Sequence, residues 1–283
     1  MPLKGFKYPD GERISLDDVK ERNVDIERMG MALPTLLYMS EQRENDRPPS
    51  TTELISGSCQ AYLQRTEDYY INPQGNAFSL AGTIHHNKLE DSASSGMMAE
   101  LSLEYKGITG IVDLYDNKSK TLIDYKNTGS YKASQILGLQ STQEEHPTEV
   151  YKRGPKIIKV FYRDPVTADF GDWGWQINFY RLMLEKNGYE VNNMYLQMTI
   201  RDGGVHAAKS RGVYNNIYLV EVPYINDDVL RKKFLDKRDI LISSLESKTV
   251  PTMCTPEETW DGRKCERYCP VREVCPYMEN NNE

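Results

Sequence analysis

The chain of 283 residues lacks any long uninterrupted run of apolar side chains. A helix that crosses a membrane needs about 20 mostly apolar residues, so we expect neither a membrane span nor a membrane partner. The N-terminal region also lacks the charged and then apolar pattern of a secretory signal peptide. Both absences lead us to expect a cytoplasmic protein.

A net positive charge is missing as well. The chain has 35 Lys and Arg against 42 Asp and Glu, a formal net charge of −7, which argues against a polycation that coats nucleic acid. A nuclease is still compatible with this charge, because metal ions and a local basic channel can offset an acidic outer surface. The candidates for such a channel are Lys152, Arg153, Lys156 and Lys159.

Cysteine is scarce and unevenly distributed. Only five occur: Cys59, and four in the last thirty residues, Cys254, Cys265, Cys269 and Cys275. In a chain without a secretion signal, this distribution favours a metal site over a disulfide framework. Three closely spaced thiolates and a fourth make a four-sulfur site for zinc or an iron–sulfur cluster. Reduced, buried thiols are the alternative.

The most informative segment that is present is a predicted β-hairpin. Two apolar, β-branched runs, 107–113 and 122–126, flank a polar turn. Side chains alternate along a strand, so Asp124 and Lys126 emerge on one face, and Asp113 can lie close to them. Two carboxylates could hold a divalent cation beside a phosphodiester, with the lysine next to the attacking water. An ordinary Asp–Lys pair on a surface hairpin fits this motif equally well.

Two further motifs are weak when taken alone. His86 lies in a predicted helix over 82–90 and is a reasonable third ligand for Mn²⁺ or Mg²⁺, although a histidine satisfied by hydrogen bonds is the ordinary alternative. Gln176 and Tyr180 are spaced i and i+4 in a predicted amphipathic helix over 172–186, so they share a face. Their amide and phenol could hold a phosphate or the lysine, but a packed helix face has the same spacing.

The predicted elements alternate between helices and strands. We expect further helices over 133–143 and 227–245, and strands over 157–162, 194–201 and 217–222. This order predicts an α/β protein of the mixed α+β kind, with a central mixed β-sheet flanked by helices. We divide the chain into an N-terminal helical or linker extension (1–48), a core (49–250) and a Cys-rich tail (251–283).

Taken in order, the histidine, the Gly110-x-x-Asp113, Asp-x-Lys and Gln-x-x-x-Tyr motifs and the cysteine tail resemble the RecB/AddB-type branch of the PD-(D/E)XK nucleases. The same branch includes the CRISPR-adaptation iron–sulfur nuclease and the nuclease domain of a eukaryotic replication helicase. The resemblance runs from about Pro49 to Pro276 and lies in the order of five motifs. It implies a restriction-endonuclease-like nuclease core over 49–250, with the tail packed on it.

The resemblance also implies roles for individual residues. Lys126 would position or deprotonate the attacking water, and Gln176 and Tyr180 would support the lysine and contact DNA. The ligands implied for Mg²⁺ or Mn²⁺ are His86, Asp113, Asp124 and the carbonyl of Tyr125.

In relatives with a 4Fe-4S cluster, one cysteine before the histidine joins three at the C-terminus and ties the two ends of the core together. The tetrad implied here is Cys59, Cys265, Cys269 and Cys275. This chain departs from the pattern in two ways: three residues separate the first two tail cysteines where two are usual, and Cys254 offers a local fourth ligand. A self-contained tail site would suit Zn²⁺. We favour iron–sulfur, and the choice between Cys59 and Cys254 is open.

These implications lead to the hypothesis of a metal-dependent DNA nuclease whose core is stabilised by an iron–sulfur cluster. The expected substrate is DNA that is single-stranded or has a free end, cleaved as an exonuclease would. A helicase, a recombinase or a CRISPR adaptation protein would be its partner, in DNA repair or recombination in a bacterial, archaeal or phage-infected cell. The alternative is a DNA-binding or assembly module on a nuclease fold, with silent or partner-dependent cleavage and zinc in the tail.

Overall fold

A computed structural model of the protein describes residues 3–41, 46–151 and 154–278; at positions 86, 87, 90, 150, 151, 154 and 155 it describes the backbone only. The strands are β1 Leu3–Lys7, β2 Arg13–Ser15, β3 Tyr69–Ile71, β4 Met97–Tyr105, β5 Ile108–Asp116, β6 Thr121–Thr128, β7 Leu139–Tyr151, β8 Gly154–Arg163, β9 Asn193–Ile200 and β10 Ile217–Glu221. The α-helices are α1 Leu16–Lys20, α2 Ile26–Met29, α3 Leu33–Met39, α4 Thr51–Ile55, α5 Ser58–Thr66, α6 Ala77–Glu90, α7 Ser130–Ile136, α8 Gly171–Lys186, α9 His206–Lys209, α10 Asp227–Ser247, α11 Pro256–Thr259 and α12 Arg263–Arg267. Over these described segments, no helix is both long enough and apolar enough to cross a membrane.

The chain divides into two compact units. The first contains the residues up to Ile84, the segment Ser102–Gly110 and the residues from Asn226 onward; the second contains His85–Leu101 and Ile111–Ile225. Helices and strands are interspersed throughout, so the protein has a mixed α/β fold, as predicted. The first unit draws on all three segments of the predicted division into 1–48, 49–250 and 251–283.

The N-terminal part of the first unit contains a three-stranded sheet. In it, β1 pairs antiparallel with β2 and parallel with β3. Helices α1, α2 and α3 contribute Val19, Met29 and Leu36 to an apolar cluster that also contains Phe6 of β1. The predicted helical or linker extension therefore includes two strands and part of a core. Its pairing with the distant β3 leaves no mark on the local sequence pattern.

Glu53 joins three segments of the first unit. With Ser50 it forms a capping box at the start of α4, as its sequence pattern indicates. It also accepts hydrogen bonds from Arg65 of α5 at 2.6 and 2.7 Å and pairs with Arg47 at 3.2 Å. Burial alone raises the pKa of the Glu53 carboxyl, but the hydrogen bonds and charges of the arginines outweigh burial and the pKa is lowered. The ion pair between Glu53 and Arg65 thereby fixes the position of α5, the helix that carries Cys59.

The five-stranded sheet has the order β10-β9-β6-β5-β4, with β6 in the middle. Strand β6 is antiparallel to β5 and parallel to β9, from Thr121 opposite Asn193 to Thr128 opposite Ile200. Parallel neighbours need a crossover connection, and here it contains α7, the antiparallel pair β7–β8 and α8. The mixed sheet agrees with the prediction.

The predicted hairpin is formed by β5 and β6. Its pairing runs from Leu114 opposite Ile123 to the turn that begins at Asp116. The Asp116 carboxylate closes this turn by accepting hydrogen bonds from Lys118 N at 2.9 Å and Ser119 Oγ at 2.6 Å. A short polar turn therefore sets the register that puts the residues after it, including Asp124, in place on β6.

Helix α8 is anchored by a fully buried asparagine, Asn178. Its amide nitrogen donates to the carbonyls of Gly174 at 2.9 Å and Pro223 at 3.0 Å. Its amide oxygen accepts from Ile225 N at 2.9 Å. An amide oriented in this way cannot rotate without losing these hydrogen bonds. Asn178 therefore fixes the rotation of α8 about its axis, and the face with the Gln-x-x-x-Tyr motif points towards the sheet.

One predicted helix is shorter than expected. Helix α7 ends at Ile136, and β7 begins at Leu139, so the prediction of helix over 139–143 is wrong. Gly138 has φ +59 and ends the helix, and a Cβ at this position would lie 2.1 Å from the carbonyl oxygen of Asp164. The close approach of the segment after β8 thus overrides the local helical pattern.

We predict that Glu53→Gln lowers the free energy of unfolding by about 3 kcal/mol, because the buried guanidinium of Arg65 loses its charged partner. Urea denaturation followed by circular dichroism measures this difference. The pKa of Glu53 is lowered in the folded state, so its stabilisation is present above the ordinary glutamate pKa and disappears as pH falls through the folded-state pKa. The two proteins should therefore converge in stability at acid pH. Glu27→Gln, an exposed glutamate in the first turn of α2, is the matched control; an equal loss in both variants would contradict the prediction.

Candidate functional site

The site begins where the pairing between β5 and β6 ends. Leu114 and Ile123 are the last paired residues, and Asp113 is next along β5. There the Asp113 side chain links the two strands, because its Oδ2 accepts a hydrogen bond from Tyr125 N at 2.7 Å. The Asp113 carboxylate is therefore held against β6 next to Asp124.

Asp124 is a buried carboxylate with a lysine as its partner. It is 1% exposed, and Lys126 Nζ lies 2.7 Å from its Oδ2. A carboxylate buried to this depth is costly unless it is neutralised, which explains why the Lys126 ammonium is drawn to it. The Lys126 side chain is 15% exposed, so its charge lies near the boundary of the buried region.

The lysine has a second partner on α8. Lys126 Nζ donates to Gln176 Oε1 at 2.9 Å, and Gln176 Nε2 donates to the Tyr180 hydroxyl at 3.0 Å. An ammonium can only donate, so the amide oxygen must face the lysine and the amide nitrogen the phenol. The predicted Asp-x-Lys and Gln-x-x-x-Tyr motifs therefore belong to one hydrogen-bonded chain.

The two histidines of α6 differ in what is described. The imidazole of His86 lies outside the described side chains, and its role as a metal ligand stays a prediction. His85 Nε2 lies 3.2 Å from Thr199 Oγ1, and its ring makes a T-shaped contact with Tyr125, with 6.4 Å between centroids. Since side chains alternate along β6, Tyr125 emerges on the face opposite Asp124. His85 therefore packs on that opposite face.

Tyr125 is linked to the site through its backbone. Its N–H is bound by Asp113, and burial, with a contribution from the negative charge of Asp113, raises the pKa of its phenol. The predicted ligand is the Tyr125 carbonyl, for which ligation stays a prediction.

The arrangement suits a divalent cation and an anionic substrate. Two carboxylates and one ammonium leave a net negative charge, and carboxylate oxygens are ligands that Mg²⁺ and Mn²⁺ prefer. Among the side chains that the structure describes, no group of three or more His, Cys, Asp or Glu residues is arranged to hold a metal ion. A cation at Asp113 and Asp124 would complete its coordination from outside such a group, through backbone carbonyls, water or substrate.

The five cysteines surround one cavity of the first unit. Its volume is about 30 Å³, and its lining includes Cys59, Cys254, Cys265, Cys269 and Cys275. All five are free thiols, with Cys59 buried and the others half-buried. Sulfur is the donor that zinc and iron–sulfur clusters take, but the described thiols are not arranged as a group that could hold a metal ion. Both Cys59 and Cys254 reach the cavity, so the choice of fourth ligand is still open.

The thiols differ in how firmly they hold their protons. A hydrogen bond between Cys59 and Cys254 raises the pKa of Cys59 and lowers the pKa of Cys254. Burial raises the pKa of Cys265, and it raises the pKa of Cys269 to about 11. Metal ligation needs thiolates, so metal binding here would release protons.

The predicted basic channel is described only in part. Lys152 and Arg153 lie outside the described residues. Lys156 Nζ pairs with Glu149 at 2.8 Å, and Lys159 Nζ lies 4.7 Å from the centroid of the Phe161 ring. The role of these residues in binding DNA stays a prediction.

Trp173 lies beside Lys126, and Lys132 lies beside Trp173; neither Trp173 nor Lys132 was singled out from the sequence. The centroid of the Trp173 ring is 5.8 Å from Lys126 Nζ and 5.9 Å from Lys132 Nζ. Trp173 precedes Gln176 by three residues on α8, a spacing that puts two side chains on one helix face. Searching one turn upstream of Gln176 would have found Trp173, whereas nothing in the sequence marks Lys132.

We predict that Cys254 is the first thiol to react with iodoacetamide in reduced, metal-free protein. The thiolate is the nucleophile, and the lowered pKa of Cys254 means that its thiolate forms at a lower pH than those of Cys265 and Cys269. Peptide mass spectrometry after short exposures over a pH series measures the order. Cys254→Ser should remove the fast reaction and leave the slow ones; fastest labelling of Cys269 would refute the assignment.

Comparison with known proteins adds no relative to this description. No family model matches the chain, and no curated protein matches it.

Proposed function

We propose that the protein is a metal-dependent DNA nuclease with a restriction-endonuclease-like core. One observation carries the proposal: the chain of contacts that runs from Asp124 through Lys126 and Gln176 to Tyr180. An ordinary Asp–Lys pair on a surface hairpin needs neither a buried carboxylate nor a glutamine on a separate helix to hold the amine. A catalytic lysine needs both, because its position relative to the reacting atoms must be fixed.

Asp113 and Asp124 would hold Mg²⁺ or Mn²⁺, and His86 and the Tyr125 carbonyl are the further ligands that the resemblance implies. The two carboxylates fit this role as hard oxygen donors on adjacent strands, each held by a hydrogen bond or an ion pair. When bound, the cation would neutralise charge on the phosphodiester and lower the pKa of a water molecule.

Lys126 supplies a positive charge that is already in place. An ammonium has three N–H donors. Lys126 Nζ donates one to Gln176 and forms an ion pair with Asp124. A further N–H can donate to a phosphodiester oxygen or to the attacking water. A donor oriented before the reaction stabilises the charge that develops in the transition state without first having to reorganise.

Gln176 and Tyr180 have different parts in this proposal. Tyr180 is 4% exposed, so it holds the Gln176 amide and lies too deep to serve as a main contact to DNA. Gln176 is half-buried and acts on Lys126 directly. Of the two residues, Gln176 is therefore the one that would also touch the substrate.

The proposal keeps the substrate and cofactors that the resemblance implies. DNA that is single-stranded or has a free end would be degraded by exonuclease action in the cytoplasm, and a helicase, a recombinase or a CRISPR adaptation protein would supply such ends. Four of the five cysteines would bind a 4Fe-4S cluster, or Zn²⁺ in its place. Sulfur donors are chemically suited to either, and a cluster with Cys59 as its fourth ligand would tie the tail to α5.

We predict that Asp113→Asn, Lys126→Ala and His86→Ala each lower the rate of Mn²⁺-dependent cleavage by a factor on the order of 10² or more, because each removes a ligand or the charge beside the reacting phosphate. The assay uses labelled single-stranded DNA with Mn²⁺ and with EDTA, and circular dichroism checks that each variant is folded. Lys118→Ala, an exposed lysine in the hairpin turn, is the matched control and should keep full activity.

Full activity in any two of the three variants would refute the assigned roles. Binding without cleavage under all metal conditions would favour the alternative, a DNA-binding or assembly module whose cleavage is silent or needs a partner.

We predict that anaerobically purified protein is brown and contains about four iron atoms per chain, as a 4Fe-4S cluster requires. Cys265→Ser, Cys269→Ser and Cys275→Ser should each lose colour and iron. Of Cys59→Ser and Cys254→Ser, only the variant that removes the fourth ligand should do so. Elemental analysis and visible absorption give the measurement; colourless protein with one zinc per chain would reject the cluster in favour of zinc.

A further inference from the structure

We propose that Trp173 and Lys132 form a subsite for one unpaired nucleotide, next to the phosphodiester at Lys126: the Trp173 indole stacks on the base and the Lys132 ammonium binds a neighbouring phosphate. This subsite rests on the proposed nuclease function. It makes that function more specific, because Trp173 and Lys132 would be the residues that select a single strand.

The position of Trp173 is the first reason. Its ring centroid lies within 6 Å of two ammonium groups, those of Lys126 and Lys132, and the residue is half-buried. Gln176, which holds Lys126, follows one turn of α8 later, a rise of about 5 Å along the helix. A base stacked on the Trp173 ring would therefore lie close to Lys126.

The second reason is the long ion pair by which Lys132 is held. Its ion pair with Asp169 is long, 3.9 Å, and both side chains are partly exposed. Such pairs contribute little to stability, so exchanging Asp169 for a phosphate costs little. Gly171, with φ +46, leaves room for the ammonium, since a Cβ there would lie 3.3 Å from Lys132 Nζ.

The combination of an aromatic ring with two cations fits single-stranded nucleic acid in particular. Every base has a π-face, so stacking on an indole tolerates any sequence, while the ammonium groups follow the backbone. In a duplex, the faces of an interior base are covered by its neighbours. Only an unpaired base or a strand end can lie on Trp173.

A single-tryptophan protein tests the stacking directly. The chain has three tryptophans, so Trp175→Phe combined with Trp260→Phe leaves Trp173 as the only one. Its fluorescence is titrated in EDTA with oligo(dT) and with an abasic oligomer of equal length and phosphate number. We expect oligo(dT) alone to quench the emission, and it should bind more tightly than the abasic oligomer by a factor on the order of 10.

Variants separate the base contact from the phosphate contact. Trp173→Ala should bind both oligomers equally, whereas Trp173→Phe keeps a ring and should keep the preference for oligo(dT). Lys132→Gln should weaken both oligomers by the same factor and reduce the slope of log affinity against log salt by about 0.7. Lys118→Gln, in the exposed hairpin turn, is the control and should change neither quantity.

Equal affinity of the parent protein for the two oligomers, or a base preference that survives Trp173→Ala, would overturn the subsite. The titrations need no cleavage, so their result is independent of the nuclease assay. Base-dependent quenching in a protein that cleaves no DNA would support the subsite and reject the proposed function. Cleavage without any base preference would reject the subsite and leave the nuclease in place.

Discussion

A buried carboxylate in the middle of a sheet has to be neutralised, and the region around Asp124 is organised by this requirement. Alternation along β6 puts Lys126 on the same face, where its ammonium reaches the carboxylate. The lysine in turn donates a hydrogen bond to the amide oxygen of Gln176, and the amide nitrogen of Gln176 donates one to the Tyr180 hydroxyl. Charged and polar groups interact strongly in a buried region, so the position of one charge influences the geometry of the whole chain of contacts.

The end of the hairpin pairing has a comparable effect. A hydrogen bond from Tyr125 N to the Asp113 side chain follows directly after the last paired residues, Leu114 and Ile123. The side chain satisfies a strand N–H and at the same time keeps a second carboxylate close to Asp124.

Burial also affects the cysteine cavity of the first unit, where it favours neutral thiols over thiolates. Burial disfavours the thiolate of Cys265 and Cys269, and the hydrogen bond between Cys59 and Cys254 lets one of that pair ionise at the expense of the other. A metal centre would reverse this balance, since its positive charge compensates several thiolates together. Metal binding and the folding of the tail would then stabilise each other.

Local periodicity was enough to predict much of this protein. The hairpin of β5 and β6, the helix that carries Gln176 and Tyr180, and the sharing of one face by Asp124 and Lys126 depend on neighbours a few residues apart. The concentration of cysteines in the tail was equally readable, because it is a matter of composition. The mixed α/β class followed from the order of these elements.

Contacts between distant segments decided the rest, because no local pattern records which segments will meet. The pairing of β1 with β3 and the approach of Asp164 to Gly138 changed elements that local patterns had predicted otherwise. The convergence of Cys59 with the tail, and of Trp173 with Lys126 and Lys132, likewise depends on packing across long stretches of chain. Sequence alone supplied the chemical groups and their local faces; tertiary structure determined their partners, since burial and pairing energies are set only when the segments meet.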